Sequence, residues 1–226
     1  MKKKLALTVI SVIAAAAVML PASALASTHD PIIFVHGSPR TAADWDTMKA
    51  RFAAAGWSAS ELNAISYDLF QSNDEIAAMI KTTVAQVLAA NPGKTKVDLI
   101  SHSMGGISSR AYVKLLGGAP MVDDFVSLAG ANHGVITLAM SLCSLITQQC
   151  RDALPCSEIL KRLNTGDETP GTVNYGTWWS PQDGTINPAT STILNGGATN
   201  TELPNVKHLD FLTDQNVFDQ VRAFVN

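Results

Sequence analysis

One short motif restricts the folds open to this chain more than any other feature. The sequence SHSMGG at 101–106 closes the apolar run 97–101 and opens a segment, 104–116, with helical periodicity. A serine at such a strand-to-helix junction lies in a sharp, strained turn, which requires small residues two positions before and after it. Ser101 and Gly105 occupy those positions, although glycine is usual at the first. The motif predicts a nucleophile elbow with Ser103 at its tip, and a serine that only caps the helix is the alternative.

The rest of the chain alternates between apolar strands and amphipathic helices. Strands are predicted at 31–37, 62–67, 97–101, 125–129, 173–179 and 205–207, and helices at 42–55, at 73–90 with Asn73 as its cap, at 104–116 and at 214–225. This alternation predicts an α/β fold, with about six mainly parallel strands and helices on both faces. Two stretches do not fit it: the insert 131–170, which has a helical apolar section around 135–146, and the polar stretch 185–204.

The first 26 residues have the layout of a secretory signal peptide. Lys2, Lys3 and Lys4 precede an apolar run at 5–20, and the small-x-small sequence at 24–26 is a cleavage signal. The run is shorter than the about 20 residues that cross a bilayer, so a transmembrane anchor is disfavoured. We expect cleavage near Ala26 and a secreted, monomeric domain at 27–226 with no transmembrane segment.

Composition excludes several classes of protein. The 226 residues carry a net charge of −3, and no Lys/Arg stripe follows Lys4, which argues against nucleic-acid binding. A hydrophobic content of 46% is too high for a disordered chain. Cys143, Cys150 and Cys156 predict one disulfide and one free thiol, with the pairing left open.

Ser103 requires a base and an acid from later in the chain. Functional groups collect at the carboxyl ends of parallel strands, and hydrolases of this type run Ser, then Asp or Glu, then His. His208 is the only histidine after a late acid, and Asp183 lies in the turn that follows the predicted strand 173–179. We therefore predict a triad of Ser103, Asp183 and His208. Three carboxylates are less well placed: Asp167, Glu168 and Asp210.

The loop after the first strand predicts an oxyanion hole. In this arrangement one backbone N–H comes from the residue after the nucleophile, here Met104, and one from the loop after the first strand. The sequence HGS at 36–38 forms that loop, and Ser38 is the expected donor. We expect the His36 side chain to be a structural hydrogen-bonding group.

Five runs together resemble the small secreted bacterial lipases of the class 2 lipase family: FVHG at 34–37, SHSMGG at 101–106, SLAGANHG at 127–134, SPQDG at 180–184 and VKH at 206–208. The resemblance extends over essentially all of 27–226. It implies a reduced α/β-hydrolase fold that lacks the first two strands of the full fold. It also implies hydrolysis of lipid esters through an acyl-enzyme, without metal or organic cofactor. The roles of Ser103, Asp183, His208, Ser38 and Met104 carry over from the family's triad and oxyanion hole.

The substrate is less closely defined by the sequence. Leu138, Met140 and Ile146 in the insert are predicted to bind an acyl chain, although packing against the sheet would explain them equally well. The substrate could lie at a lipid–water interface, with 131–170 acting as a lid. A polyester depolymerase with a cleft beside Trp178 and Trp179 is one alternative. A non-catalytic ligand-binding protein is another, and would lack one residue of the triad. No metal site is predicted, because the spacing of the late carboxylates matches no calcium loop: Asp210, Asp214 and Asp219.

Overall fold

The computed structural model describes residues 29–225, so the predicted signal peptide at 1–26 lies outside the described residues. The strands in this range are β1 Ile32–Val35, β2 Leu62–Ala64, β3 Val97–His102, β4 Val122–Leu128, β5 Asn174–Trp179 and β6 Thr199–Glu202. They form one sheet in the order β2-β1-β3-β4-β5-β6, and every neighbouring pair is parallel. The predicted mainly parallel sheet of about six strands is confirmed.

Helices cover the sheet on both faces. They are α1 Asp46–Ala54, α2 Asn73–Ala90, α3 Gly105–Leu115, α4 Leu138–Cys143, α5 Gln148–Asp152, α6 Glu158–Asn164 and α7 Gln215–Phe224. α2 and α3 pack together on one face with α5 and α6 beside them. α1 and α7 meet on the other, where the rings of Phe52 and Phe218 lie 5.1 Å apart. Within residues 29–225, no helix is long and apolar enough to cross a bilayer.

The central strands are buried and end at a common level. Every residue of β1 and β3 is buried, because helices cover both faces of the parallel sheet, and β1 is accordingly apolar throughout. Val35 pairs with Ser101, and Ser101 with Ser127. The loops that follow β1, β3 and β4 therefore start side by side at one edge of the sheet.

Two sequence predictions were wrong in detail. The sixth strand lies at Thr199–Glu202 rather than at 205–207. An edge strand with exposed side chains does not need apolar residues, so this strand resembled a polar loop. Asn205 has a φ of 68°, which is a left-handed conformation incompatible with a strand. The cap of α2 is Ser72, whose side chain accepts from the Glu75 N–H, whereas Asn73 is buried within the helix.

The insert 131–170 contains three short helices, α4 to α6, rather than one helical section. A disulfide joins Cys143 at the end of α4 to Cys150 in α5. Cys156 is an exposed free thiol. The expected combination of one bridge and one thiol is confirmed, and the pairing is now assigned.

Both ends of the insert are fastened to α3. The Arg110 guanidinium, which is buried, donates to the carbonyl oxygen of Asn132 at 2.6 Å and to that of Leu163 at 3.1 Å. Lys114, one turn further along α3, also donates to Leu163 at 2.7 Å. Between these ends α5 packs against α2 and α6 against α3, whereas α4 has no buried residue.

Two buried carboxyl groups lie near the amino ends of β3 and β4, at the opposite edge of the sheet. Burial raises the pKa of Asp124 to about 6, even though Asn174 donates a hydrogen bond to it at 2.8 Å. Burial and the neighbouring Asp124 raise the pKa of Asp98 well above 3.8. The fold therefore favours the protonated form of both groups.

Replacing Asp124 by asparagine should change how stability depends on pH. The folded pKa of about 6 lies above the unfolded value of 3.8, so the folded protein holds a proton that the unfolded chain releases. The resulting stabilisation is present below about pH 4 and is lost as the pH rises to about 6. The free energy of unfolding of Asp124→Asn, relative to that of wild type, should therefore rise by about 1 kcal/mol between pH 4 and pH 7. The effect is no larger because solvent still reaches part of the group. Urea unfolding of both proteins at the two pH values measures this gain, and an equal difference at both would contradict it.

Candidate active site

Ser103 lies in a strained turn between β3 and α3. Its φ is +57°, a left-handed conformation that is uncommon outside glycine. Two of its backbone hydrogen bonds reach the end of β4 and the loop after it, from its own N–H to the Leu128 carbonyl and from the Ala131 N–H to its carbonyl. The turn is therefore fixed by the carboxyl end of β4, as the predicted elbow requires.

Small residues around this turn allow the strands and the helix to approach. A Cβ on Gly105 would lie 2.5 Å from the His36 carbonyl oxygen and 2.6 Å from that of Val35. A Cβ on Gly37 would lie 2.7 Å from the Ser103 Cβ. Neither position leaves room for a side chain. Ser101, where glycine is usual, fits because its hydroxyl donates to the Val126 carbonyl at 2.9 Å.

A chain of hydrogen bonds links the three residues of the predicted triad. The Ser103 hydroxyl lies 3.0 Å from His208 Nε2, and His208 Nδ1 lies 2.8 Å from Asp183 Oδ2. The His208 N–H also donates to the Asp183 carbonyl at 3.0 Å. Ser103 and Asp183 are each 5% exposed and His208 is 9% exposed. With Nδ1–H donating to the carboxylate, Nε2 is free to accept the proton of Ser103.

The turn after β5 keeps Asp183 ionised. Burial by itself raises the pKa of this carboxyl, but hydrogen bonds and the charge of His208 outweigh burial and hold the pKa below 3.8. Besides His208, the donors are the backbone N–H groups of Thr185 at 2.8 Å and Ile186 at 2.6 Å. A carboxylate that accepts several hydrogen bonds keeps its charge.

The side chain of His102 contacts both the backbone and the ring of His208. Its Nε2–H donates to the His208 carbonyl at 2.9 Å, and the two ring centroids lie 4.5 Å apart. Burial, with the nearby His208 adding to it, lowers the pKa of His102 to about 3. His102 therefore stays neutral when His208 takes up a proton. Sequence reasoning did not single out this residue, because only the tertiary structure brings it against His208.

The predicted oxyanion donors, Ser38 and Met104, line the same cavity as Ser103. Neither of their N–H groups takes part in the backbone hydrogen bonds among residues 29–225. The loop that carries Ser38 lies against the turn, because a Cβ on Gly37 would meet the Ser103 Cβ.

The cavity has a volume of about 380 Å³, and most of its lining is apolar. Of the predicted acyl-binding residues, Met140 lines it, whereas Leu138 and Ile146 do not and are 76% and 72% exposed. The sequence analysis missed several lining residues, whose contribution depends on how the insert and the loops fold over the site: Arg40, Leu69, Val135, Thr137, Ala139, Cys143, Cys150, Thr185, Ile186 and Leu209.

Two other groups from the sequence analysis lie away from this chain of hydrogen bonds. Trp178 packs against Phe224 and donates to Gln220 at 3.0 Å, so its ring faces α7 rather than the cavity. His133 lies 3.0 Å from Glu168, which also accepts from the Asn195 N–H and joins the end of the insert to the stretch 185–204. Among residues 29–225, no group of three or more His, Cys, Asp or Glu side chains could hold a metal ion.

Two lipases of known structure share this fold. Aspergillus fumigatus lipase B has a TM-score of 0.70 at 18% identity, with 88% of this chain and 53% of that chain covered. Mature Bacillus licheniformis lipase BlEst2 has a TM-score of 0.72 at 15% identity, with 88% and 93% covered. The chain thus spans about half of the fungal lipase and nearly all of the bacterial one. With the six-stranded parallel sheet, these likenesses define an α/β-hydrolase fold and confirm the predicted fold class.

The family follows from the sequence match. Residues 29–225 match the class 2 lipases, and this range is most of the chain. The protein belongs to the class 2 lipase family, which confirms the resemblance of its motifs.

The close approach at Gly105 predicts a large effect of a single methyl group. Gly105→Ala should destabilise the protein by about 2–4 kcal/mol, because its Cβ would meet two backbone carbonyl oxygens that cannot move without shifting β1. Gly197→Ala is the matched control, since its Cβ would meet only the Thr169 hydroxyl at 3.9 Å. Thermal unfolding measures both variants, and a Gly105→Ala protein as stable as the control would contradict the packing described.

Proposed function

We propose that this protein is a secreted serine hydrolase that cleaves carboxylic esters of lipids through an acyl-enzyme on Ser103. The observation that carries the proposal is the hydrogen-bond chain from Asp183 through His208 to Ser103 at an apolar cavity. Membership of the class 2 lipase family supports an ester as the substrate. The two lipases among the structural neighbours support a lipid ester.

The reaction begins with nucleophilic attack by Ser103. His208 Nε2 accepts the Ser103 proton as the oxygen attacks the ester carbonyl, and the N–H groups of Ser38 and Met104 stabilise the oxyanion that forms. Asp183 remains ionised and stabilises the imidazolium through Nδ1–H. The alcohol then leaves with the proton held by His208, which produces the acyl-enzyme.

Water completes the cycle. The water oxygen attacks the acyl carbonyl while His208 accepts a proton from the water. The second tetrahedral intermediate is stabilised by the same oxyanion donors. Collapse of this intermediate returns the proton to Ser103 and releases the carboxylic acid. No step requires a cofactor.

We also propose that the leader at 1–26 directs export and that 27–226 act as one catalytic domain. The Cys143–Cys150 disulfide supports an oxidising destination. All the reacting groups of the proposed cycle come from one chain, which supports a monomeric catalyst.

Exposed apolar side chains support action at a lipid–water interface. We use the name apolar rim for seven residues beside the cavity: Phe70, Ile136, Leu138, Leu142, Leu145, Ile146 and Leu209. Each is exposed and either lines the cavity or lies within three residues of one that does. No Lys, Arg, Asp or Glu occurs in 131–150. Exposed apolar side chains around an apolar cavity, most of them in a segment without charged residues, favour contact with a lipid phase.

Ser103→Ala should abolish ester hydrolysis without unfolding the protein. We expect turnover of p-nitrophenyl butyrate to fall by at least about 10⁴-fold, because the nucleophile is lost, while the unfolding temperature changes little. A fluorophosphonate should label wild type on Ser103 and leave the variant unlabelled, as read by mass spectrometry.

Ser109→Ala is the matched control for this experiment. Ser109 is a buried serine in α3 whose hydroxyl has no hydrogen-bond partner among the described residues, so its removal should leave turnover intact. Full activity of Ser103→Ala, or a wild-type protein that neither turns over esters nor reacts with the probe, would refute the proposed function.

Polar substitution in the apolar rim should lower activity on aggregated substrates more than activity on dissolved ones. The double variant Leu142→Ser with Leu145→Ser should lose about tenfold or more of its activity on emulsified triacylglycerol, since binding to the lipid phase weakens. Its activity on dissolved p-nitrophenyl acetate should stay within about twofold of wild type. Met121→Ser, an exposed apolar residue next to the amino end of β4, is the control. Equal losses on both substrates would contradict a role at the interface.

A further inference from the structure

The peptide group between Gly37 and Ser38 faces two different parts of the site. Because this peptide is trans and planar, its carbonyl and its N–H point in opposite directions. The Gly37 carbonyl lies 2.6 Å from His36 Nδ1. The Ser38 N–H on the opposite side is the donor proposed for the oxyanion. Whatever fixes the direction of this carbonyl therefore also fixes the direction of that N–H.

The surroundings of His36 determine which nitrogen carries the proton. The Tyr67 N–H donates to His36 Nε2 at 3.4 Å, so the ring proton lies on Nδ1 and is donated to the Gly37 carbonyl. Burial lowers the pKa of His36, which keeps this neutral tautomer.

The ring of His36 is also held in place from one side. It stacks on the Tyr67 ring at a centroid distance of 3.8 Å, and the Tyr67 hydroxyl donates to the His36 carbonyl. His36 is only 1% exposed and is not among the residues that line the cavity. It can therefore act on the reaction only through the loop.

The loop has little freedom to compensate for a change at His36. A Cβ on Gly37 would lie 3.3 Å from the Ser103 hydroxyl oxygen, so the peptide group starts next to the nucleophile. A rotation of this peptide would turn the Ser38 N–H away from the oxyanion. The hydrogen bond to its carbonyl also polarises the peptide and strengthens the N–H as a donor.

We propose that His36 is a positioning residue: its Nδ1–H holds the Gly37–Ser38 peptide so that the Ser38 N–H is aimed at the oxyanion. This inference rests on the proposed function, because it assigns a role within that reaction. The competing explanation is that His36 only fills space against Tyr67.

Two substitutions separate these explanations. His36→Phe keeps a ring of similar shape against Tyr67 but removes the donor to the Gly37 carbonyl. His36→Asn removes the ring but keeps an amide N–H, which occupies the same place along the side chain as Nδ1. Positioning predicts that the asparagine variant is the more active, whereas space-filling predicts that the phenylalanine variant is.

The measurements are kcat and KM on p-nitrophenyl butyrate, together with inhibition by phenylboronic acid, whose adduct on a serine is a tetrahedral anion. Loss of an entire oxyanion donor costs about 10²–10³-fold in turnover, so a misdirected one should cost about 10–100-fold. We expect this loss in kcat for His36→Phe, with KM within about twofold and a similar loss of affinity for phenylboronic acid. His36→Asn should keep kcat within about threefold of wild type.

The outcomes that would overturn the inference are distinct. A His36→Phe protein with wild-type kcat, or a His36→Asn protein impaired as much as His36→Phe, would leave His36 with a packing role only. If His36→Phe does not fold, His36→Gln takes its place, because its amide extends to the Nε2 position and leaves the Gly37 carbonyl without a donor. Failure of the wild-type protein to hydrolyse the ester or react with a fluorophosphonate would refute the proposed function instead.

Discussion

The close contact between the end of β1 and the turn after β3 is the constraint on which the site depends. Gly105 lies against the carbonyl oxygens of Val35 and His36, and Gly37 lies against the Cβ of Ser103. Each of the two segments therefore restricts where the other can be. As a result, the proposed nucleophile Ser103 and the loop beside it behave as one unit, and a displacement of β1 would move both the hydroxyl and the peptide that faces it.

Burial raises the pKa of carboxyl groups at both edges of the sheet, but only at one edge do hydrogen bonds outweigh it. At the amino edge it raises the pKa of Asp98 and Asp124, because few donors compensate for the loss of water. At the carboxyl edge Asp183 is also buried, yet hydrogen bonds from His208 and from two backbone N–H groups keep its pKa low. The difference is the turn after β5, which directs N–H groups at the carboxylate. The same physical effect thus leaves an acid neutral at one edge and charged at the other.

Sequence reasoning located the residues that motifs and the order of strands and helices place at one edge of the sheet. Because parallel strands end at the same edge of the sheet, the sequence predicts that three residues lie close together: Ser103, Asp183 and His208. In the structure, hydrogen bonds join them. The strand at Thr199–Glu202 was missed because an edge strand carries no apolar pattern. His102 was missed for another reason: no motif or chain order in the sequence reports that its side chain contacts His208. The lining of the cavity likewise depends on how the insert folds back over the sheet.

The attachment of the insert has a consequence for how substrate range could diverge. Arg110 fixes both ends of the insert to the helix that begins just after Ser103, while the apolar side chains at 136–146 are exposed or line the cavity. Changes at 136–146 can therefore alter which molecules fit the cavity without moving the proposed triad. The insert thus combines two ends that are tied to the scaffold with an exposed helix, α4, between them. A library of variants restricted to 137–147 would explore new specificities while retaining the chemistry.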